Sequence, residues 1–273
     1  MSEEREYVLG TDEAELNRLG LQHRLWADAA GNQWRRARFG PGMRLLDLGC
    51  GPGFATRDLC ELAGRTGAVV AADLSQRFID FVRAHPTTPG SAPIEAHCID
   101  AHDLHTAIDE SSLDGVYLRW VLHFTPEPPM VIEQAARALK PGGRLAVQDY
   151  SNWQGLHWGP LNHTLPILRH GILTSYKEVR ADSNVGSIVP ALCERHGLRV
   201  IEVTPLTRVF TPADPLWMWP DSYFRSYLPR IAERGHLSAD ELDAIMAEWQ
   251  ALGEEPGAMF FGPIQIEVIA EKM

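Results

Sequence analysis

Three glycines at alternate positions, Gly49, Gly51 and Gly53, interrupt the run Leu45 to Thr56, LLDLGCGPGFAT, where a short apolar stretch (Met43 to Leu48) gives way to a helical pattern. Glycine lets backbone approach a ligand where a Cβ would collide, and it tolerates positive φ. The helix beyond the turn points unsatisfied N–H groups toward the same spot. The chemistry on offer is therefore the close binding of a polar small molecule at a strand-to-helix turn. A dinucleotide fingerprint, G-x-G-x-x-G/A, needs a small residue where this chain has Phe54, and no lysine succeeds the glycines as a triphosphate loop requires. NAD, FAD and nucleoside triphosphates are poor fits. By itself the turn reads equally as a tight structural connection.

The next strand narrows the reading. Ala68 to Ala72, AVVAA, has the short, apolar, partly β-branched character of a buried parallel strand. It ends in Asp73, 20 residues beyond Gly53, at the carboxyl edge where open α/β sheets bind ligands. That spacing suits a carboxylate accepting from a ribose diol. Ser75 caps a helix from Gln76 to His85. A third apolar segment, Ile94 to Ile99, ends in Asp100-Ala101, and a fourth runs from Leu113 to Leu122. A helix from Glu127 to Leu139 leads into Leu139 to Tyr150, where Pro141-Gly142-Gly143 is a turn feeding a fifth strand.

The ordered set LLDLGCGPG, VVAADLS, CIDAHDL, LDGVYLRWVLHF and LKPGGRLAVQDY resembles the class I S-adenosylmethionine-dependent methyltransferases over residues 40–150. The resemblance implies an α/β fold, a Rossmann-like doubly wound sheet of seven strands whose last strand runs antiparallel. It implies S-adenosyl-L-methionine as cofactor. The glycine loop, with Gly49, Cys50, Gly51, Gly53 and Phe54, would hold the methionine part, Asp73 the ribose hydroxyls and Asp100 the adenine amino group. Leu74 and Ala101 would line the adenine faces. The opening YVLGTDEAELNRLGLQHRLW is also similar to a microbial small-molecule subgroup that includes fungal dithiol S-methyltransferases. There Tyr7, Gln22, His23 and Trp26 would fold over the methionine end or the substrate. A helix simply packed on the sheet is the other reading, and for Gln22 and His23 both stay open.

These residues need elements to hold them. A helix from Thr11 to Arg38, with Thr11 as cap, puts Leu16, Leu19, His23, Trp26, Ala30 and Trp34 on one face. Residues 151–185 and 205–259 are insertions around a sixth strand (Leu198 to Thr204) and a seventh (Phe260 to Ala270), the second ending in a helix from Ser238 to Ala251. Long insertions beside a cleft commonly cover it. Trp153, His157, Trp158, Trp219 and Tyr223 are the candidate substrate contacts, with ordinary core packing as the alternative for each. Trp217 and Trp219, two apart, cannot share one helix face. The expectation is one domain over 1–273: a helical cover (1–40), a cofactor core (41–150) and two caps.

Methyl transfer from a sulfonium needs alignment and dryness more than proton chemistry. A base matters when the nucleophile arrives protonated. His123, just past the fourth strand, is the candidate base; donation to a backbone carbonyl is its structural alternative. Arg119 is positioned to pair the cofactor carboxylate, and Trp120 to wall the methyl site. His102 and His105 lack a third ligand and read as solvated, so no metal is expected.

Composition sets the limits. The 273 residues carry a net charge of −11, with 36 acidic against 25 basic side chains, and no basic face for phosphates. The fourth strand lacks an Asn/Asp-Pro-Pro-aromatic ending, so nucleic acid is not expected as substrate. No stretch approaches the ~20 apolar residues of a membrane span. The opening MSEEREY carries no secretory signal, and four cysteines without a C-x-x-C pair read as reduced thiols of a cytoplasmic protein. The expected protein is a monomeric or homodimeric methyltransferase acting on a small aromatic or apolar metabolite. The alternatives are a cofactor-binding enzyme with cyclase-like chemistry, a protein or peptide methyltransferase, and a binding module without turnover.

Overall fold

A computed structural model describes residues 10–273; Tyr7 lies outside the described residues. In chain order the elements are α1 (Glu13–Arg36), β1 (Arg44–Leu48), α2 (Phe54–Ala63), β2 (Ala68–Asp73), α3 (Gln76–Ala84), β3 (Ile94–Cys98), β4 (Leu113–Arg119), α4 (Pro128–Ala138) and β5 (Leu139–Asn152). Then come β6 (His157–Gly159), α5 (Leu165–Glu178), α6 (Val189–Arg195), β7 (Leu198–Leu206), β8 (Val209–Phe210), α7 (Met218–Glu233), α8 (Ala239–Glu254), β9 (Met259–Phe261) and β10 (Ile264–Lys272). Seven strands form one sheet in the order β3-β2-β1-β4-β5-β10-β7, and only β10 runs antiparallel to its neighbours. This is the doubly wound sheet the sequence implies. Its central strands are apolar on both faces because helices cover both. Strand order reverses between β1 and β4, which opens a crevice at their carboxyl ends.

α1 starts one residue later than its sequence suggests. Asp12, not Thr11, is the cap, its carboxylate accepting from Glu15 N at 2.9 Å. Glu13 and Glu15 in the first turn and Arg35 and Arg36 in the last complement the helix dipole. The buried stripe Leu16, Gly20, His23, Trp26, Ala30, Trp34 lays the helix over the sheet. Gln33 Nε2 donates to Val147 O at 2.8 Å, and Arg36 pairs with Glu202 and Glu267 on β7 and β10.

β4 stops at Arg119 rather than Leu122, because Trp120 turns to φ +56° and ends the extended chain. The expected seventh strand is two strands. Gly262 and Pro263 separate β9 from β10, and Pro263 has no N–H for a ladder. β9 joins a second sheet, β6-β9-β8, whose other two strands come from the insertions. With α5, α7 and α8 it forms a cap with its own core, in which Trp158, Phe224, Trp249 and Phe260 interlock at ring separations of 5.0–6.1 Å. Ser238 starts α8 with a reciprocal capping box to Glu241.

Candidate active site

The crevice is a cleft of about 920 Å³ floored by the carboxyl ends of β1, β2 and β4. Gly49 and Gly51 do different work in its loop. At Gly49 (φ +71°) a Cβ would collide with Val121, so this glycine is needed by the fold. At Gly51 (φ +54°) a Cβ would meet nothing within 4 Å, so the space it leaves belongs to the cleft. Asp73 is fixed at both oxygens, accepting from Gly51 N at 2.8 Å and Ser75 N at 2.8 Å. Desolvation raises its pKa against the pull of those N–H groups. Behind the loop Asp47 is buried and accepts from Thr56 Oγ1 at 2.6 Å; desolvation pushes it up to about 6. Asp100 caps a short helical turn, accepting from His102 N at 3.0 Å, with the His102 ring on the same oxygen.

At the opposite wall Arg119 lies between α1 and the ring of Trp120. Its Nη2 is 3.0 Å from His23 Nδ1, and His23 Nε2 is 3.0 Å from Asp58. Arg119 Nη1 is buried with no partner, a charged donor left to the cleft. Together these groups fit S-adenosylmethionine. Asp73 would accept from a diol, Asp100 from an amine, Arg119 would pair a carboxylate, and the glycine loop would allow close approach.

A second, smaller cavity of about 50 Å³ continues from the first, Gln22, Trp120 and Phe124 lining both. Its walls are mainly aromatic, from α1, β5 and the cap, and include Tyr150, Trp153, Tyr176, Trp219 and Tyr223. An apolar cavity that admits benzene holds about 150 Å³, so the walls stand closed and must part for a ring. Trp120 and Trp219 stack 6.1 Å apart across it. Gln22 Oε1 fixes this corner, accepting from Trp219 Nε1 at 3.1 Å and Arg18 Nη1 at 2.9 Å. Arg18 is itself held by Glu15 at 2.6 and 2.7 Å. Burial raises the Tyr150 and Tyr223 pKa values, keeping both hydroxyls neutral.

His123 lines the same cavity with a side chain only 2% exposed. It does not donate to a backbone carbonyl as its structural alternative supposes. Its Nδ1 lies 2.9 Å from Asp149 Oδ1, close enough for an ion pair although not aligned as a hydrogen bond. Asp149 is immobilised by Leu122 N at 2.9 Å and Tyr150 N at 2.8 Å. The Asp149 carboxylate thus lies beside the Nδ1 edge of the ring, and no hydrogen bond to Nε2 is made among the described residues.

Of the expected cofactor residues, Gln22, His23, Gly49, Cys50, Gly51, Phe54, Asp73, Leu74, Asp100, Ala101, Arg119 and Trp120 all line the large cleft. Gly53 sits behind it, where a Cβ would press on Val82. Trp153, Trp219 and Tyr223 line the small cavity. Three expectations fail. Trp158 is fully buried in the cap core, its Nε1 on Glu248 at 3.2 Å. His157 is exposed, since neighbours in β6 face opposite sides. Trp26 stands behind Trp120 and Trp219, supporting the wall rather than forming it. His102 is not solvated either: Asp100 holds it, and its Nε2 is buried. Sequence reasoning passed over Arg18, Tyr150 and Asp149.

The fold and the place of the cleft are those that the resemblance to class I S-adenosylmethionine-dependent methyltransferases implies. Residues 46–147 match the model of a family described as a methyltransferase domain. Methyltransferase GfsG of Streptomyces halstedii is 27% identical over 204 residues, 74% of this chain and 68% of that protein. The 2-phytyl-1,4-naphtoquinone methyltransferase of Synechococcus elongatus is 35% identical over 128 residues, 46% of this chain and 53% of that one. Among solved structures, a candidate methyltransferase from Bacillus halodurans C-125 superposes with a TM-score of 0.61 at 18% identity, covering 89% of this chain and 97% of the other. At that identity the match speaks for the fold alone. The chain spans about half the length of several curated relatives it matches, 48% and 57% for two of them.

Proposed function

We propose that the protein transfers the methyl group of S-adenosylmethionine to a hydroxyl oxygen of a small, largely apolar ring compound. The observation that carries this reading is His123, whose Nδ1 lies 2.9 Å from the buried carboxylate of Asp149 inside an aromatic cavity that adjoins the cofactor cleft. The cofactor supplies, when bound, an electrophilic methyl on a leaving group that needs no further activation. Asp73 and Asp100 orient its nucleoside, and Arg119 Nη1 meets its carboxylate. Asp149 favours the His123 tautomer protonated at Nδ1, which leaves Nε2 to take the hydroxyl proton as the oxygen attacks. Trp120 and Trp219 exclude water, so the oxygen anion formed stays reactive. A thiol or a neutral amine has less need of this base. The Synechococcus relative, named for a naphthoquinone substrate, supports a ring compound.

The test is a screen of ring phenols with methyl-labelled S-adenosylmethionine, reading labelled methyl ether and S-adenosylhomocysteine together. Equal amounts of the two are expected. Conversion of a substrate without S-adenosylhomocysteine would establish cyclase-like chemistry instead, and label on nitrogen or sulfur would overturn the hydroxyl.

A further inference from the structure

The side-chain polar groups that line the aromatic cavity are donors or neutral hydroxyls, with His123 Nε2 the one basic acceptor among the described residues. No carboxylate among them lines it. Gln22 could have offered an acceptor, but its Oε1 already takes two hydrogen bonds, from Arg18 and Trp219. Those two donors fix the amide's orientation and leave its Nε2 without a partner among the described residues. Trp153 makes the second, independent observation. Its side chain lines the cavity and is 97% buried by its 3% exposure, yet the indole Nε1–H meets no acceptor. A buried N–H left unmade costs free energy unless something arrives to accept it. Trp120 and Trp219, by contrast, have their indole N–H groups satisfied by Gln265 and Gln22.

We propose, resting on the methyl-transfer reading above, that the substrate is a hydroxylated ring that also bears a carbonyl oxygen. Trp153 Nε1 and Gln22 Nε2 are the donors that select it. The hydroxyl gives its proton to His123, and the carbonyl accepts from the two donors, so the ring enters in one orientation. Amines and other cations are disfavoured, since no anionic side chain among the described residues lines the cavity to pair them.

Calorimetric titration of protein saturated with S-adenosylhomocysteine tests this with two probes of similar area. 3-Hydroxychromone carries a carbonyl beside its hydroxyl; 2-naphthol does not. The wild type should bind the chromone about tenfold tighter, the worth of one or two net hydrogen bonds. Trp153→Phe keeps the ring and removes the N–H. It should lose about fivefold or more for the chromone and nothing for the naphthol. Gln22→Glu keeps the acceptor for Arg18 and Trp219 but replaces the donor; on protein kept saturated with S-adenosylhomocysteine it should show the same selective loss for the chromone. Equal wild-type affinity for both probes, or equal losses for the two probes in both variants, would overturn the proposal. So would a Gln22→Glu loss confined to S-adenosylhomocysteine. Because binding is read without turnover, selective binding with no methyl ether formed would sink the methyl-transfer reading and leave this one standing.

Discussion

His123 and Asp149 act as one unit at the residue scale, and each has a separate signature. For a hydroxyl substrate, His123→Ala should lower kcat about a hundredfold or more, the usual loss on removing a general base. Asp149→Asn should show a loss in the same direction with the opposite balance in stability. Leu122 N and Tyr150 N donate to different oxygens, so one of them would face the amide NH2 of Asn, and urea unfolding should move to lower concentration as well. Full activity of His123→Ala at every pH would make the ring a packing residue. Asp47 makes a pH prediction. Its carboxyl is raised from 3.8 to about 6 by desolvation, so the folded state holds the proton more tightly than the unfolded chain. Stability is therefore highest below the unfolded value and falls as pH rises through about 6, by about 3 kcal/mol in all. Asp47→Asn keeps an oxygen for Thr56 and removes the titration. It should be more stable than wild type at pH 7 and nearly equal at pH 4, measured by urea unfolding. Asp73 was legible because a fixed spacing from the glycines locates it. Asp149 was not, because the ring it orients lies 26 residues earlier in the chain, on the far side of α4 in sequence.

Among the elements, the glycine turn and the cap divide the labour between folding and binding. Gly49→Ala should fail to fold well, since its Cβ has Val121 in the way. Gly51→Ala costs about 1–2 kcal/mol for its left-handed backbone and puts a methyl into open cleft, so it should stay folded and lose cofactor affinity. Thermal unfolding and titration with S-adenosylhomocysteine separate the two; the same behaviour from both would mean the loop is purely structural. In the cap, Trp158→Ala should cost about 3–5 kcal/mol as a core deletion, whereas Trp219→Ala should raise KM with a smaller stability loss. Strand and helix succession was readable from periodicity, down to the Ser238 cap. The direction each cap aromatic faces was not: Trp217 lies flat on Trp249 at 4.5 Å while Trp219 points inward, and only the docking of α7 on α8 and α1 decides that.

For the whole molecule, α1 is the member common to both cavities: Gln22 lines both, His23 touches Arg119, and Arg36 anchors the far end to β7 and β10. S-adenosylhomocysteine should therefore slow amide hydrogen exchange through the middle of α1, with α8 unaffected. Equal protection in both helices would mean that the ligand tightens the protein globally. The doubly wound sheet was evident from the order of motifs, and the single antiparallel strand came with the resemblance. The second sheet was not foreseeable, because β6, β8 and β9 are two or three residues long and pair across about 50 to 100 residues of chain. The larger insertion leaves the main sheet from β7 and returns in β10, and Leu206 pairs with Gln265 where the two strands part. Its two ends are thus clasped by the sheet whatever lies between them. Lengthening or shortening such an excursion changes closure entropy only logarithmically, about 0.6 kcal/mol per doubling. The architecture is in that sense a socket: one cofactor engine, with an exchangeable tool head that can be traded for another acceptor without rewriting the strands that hold it.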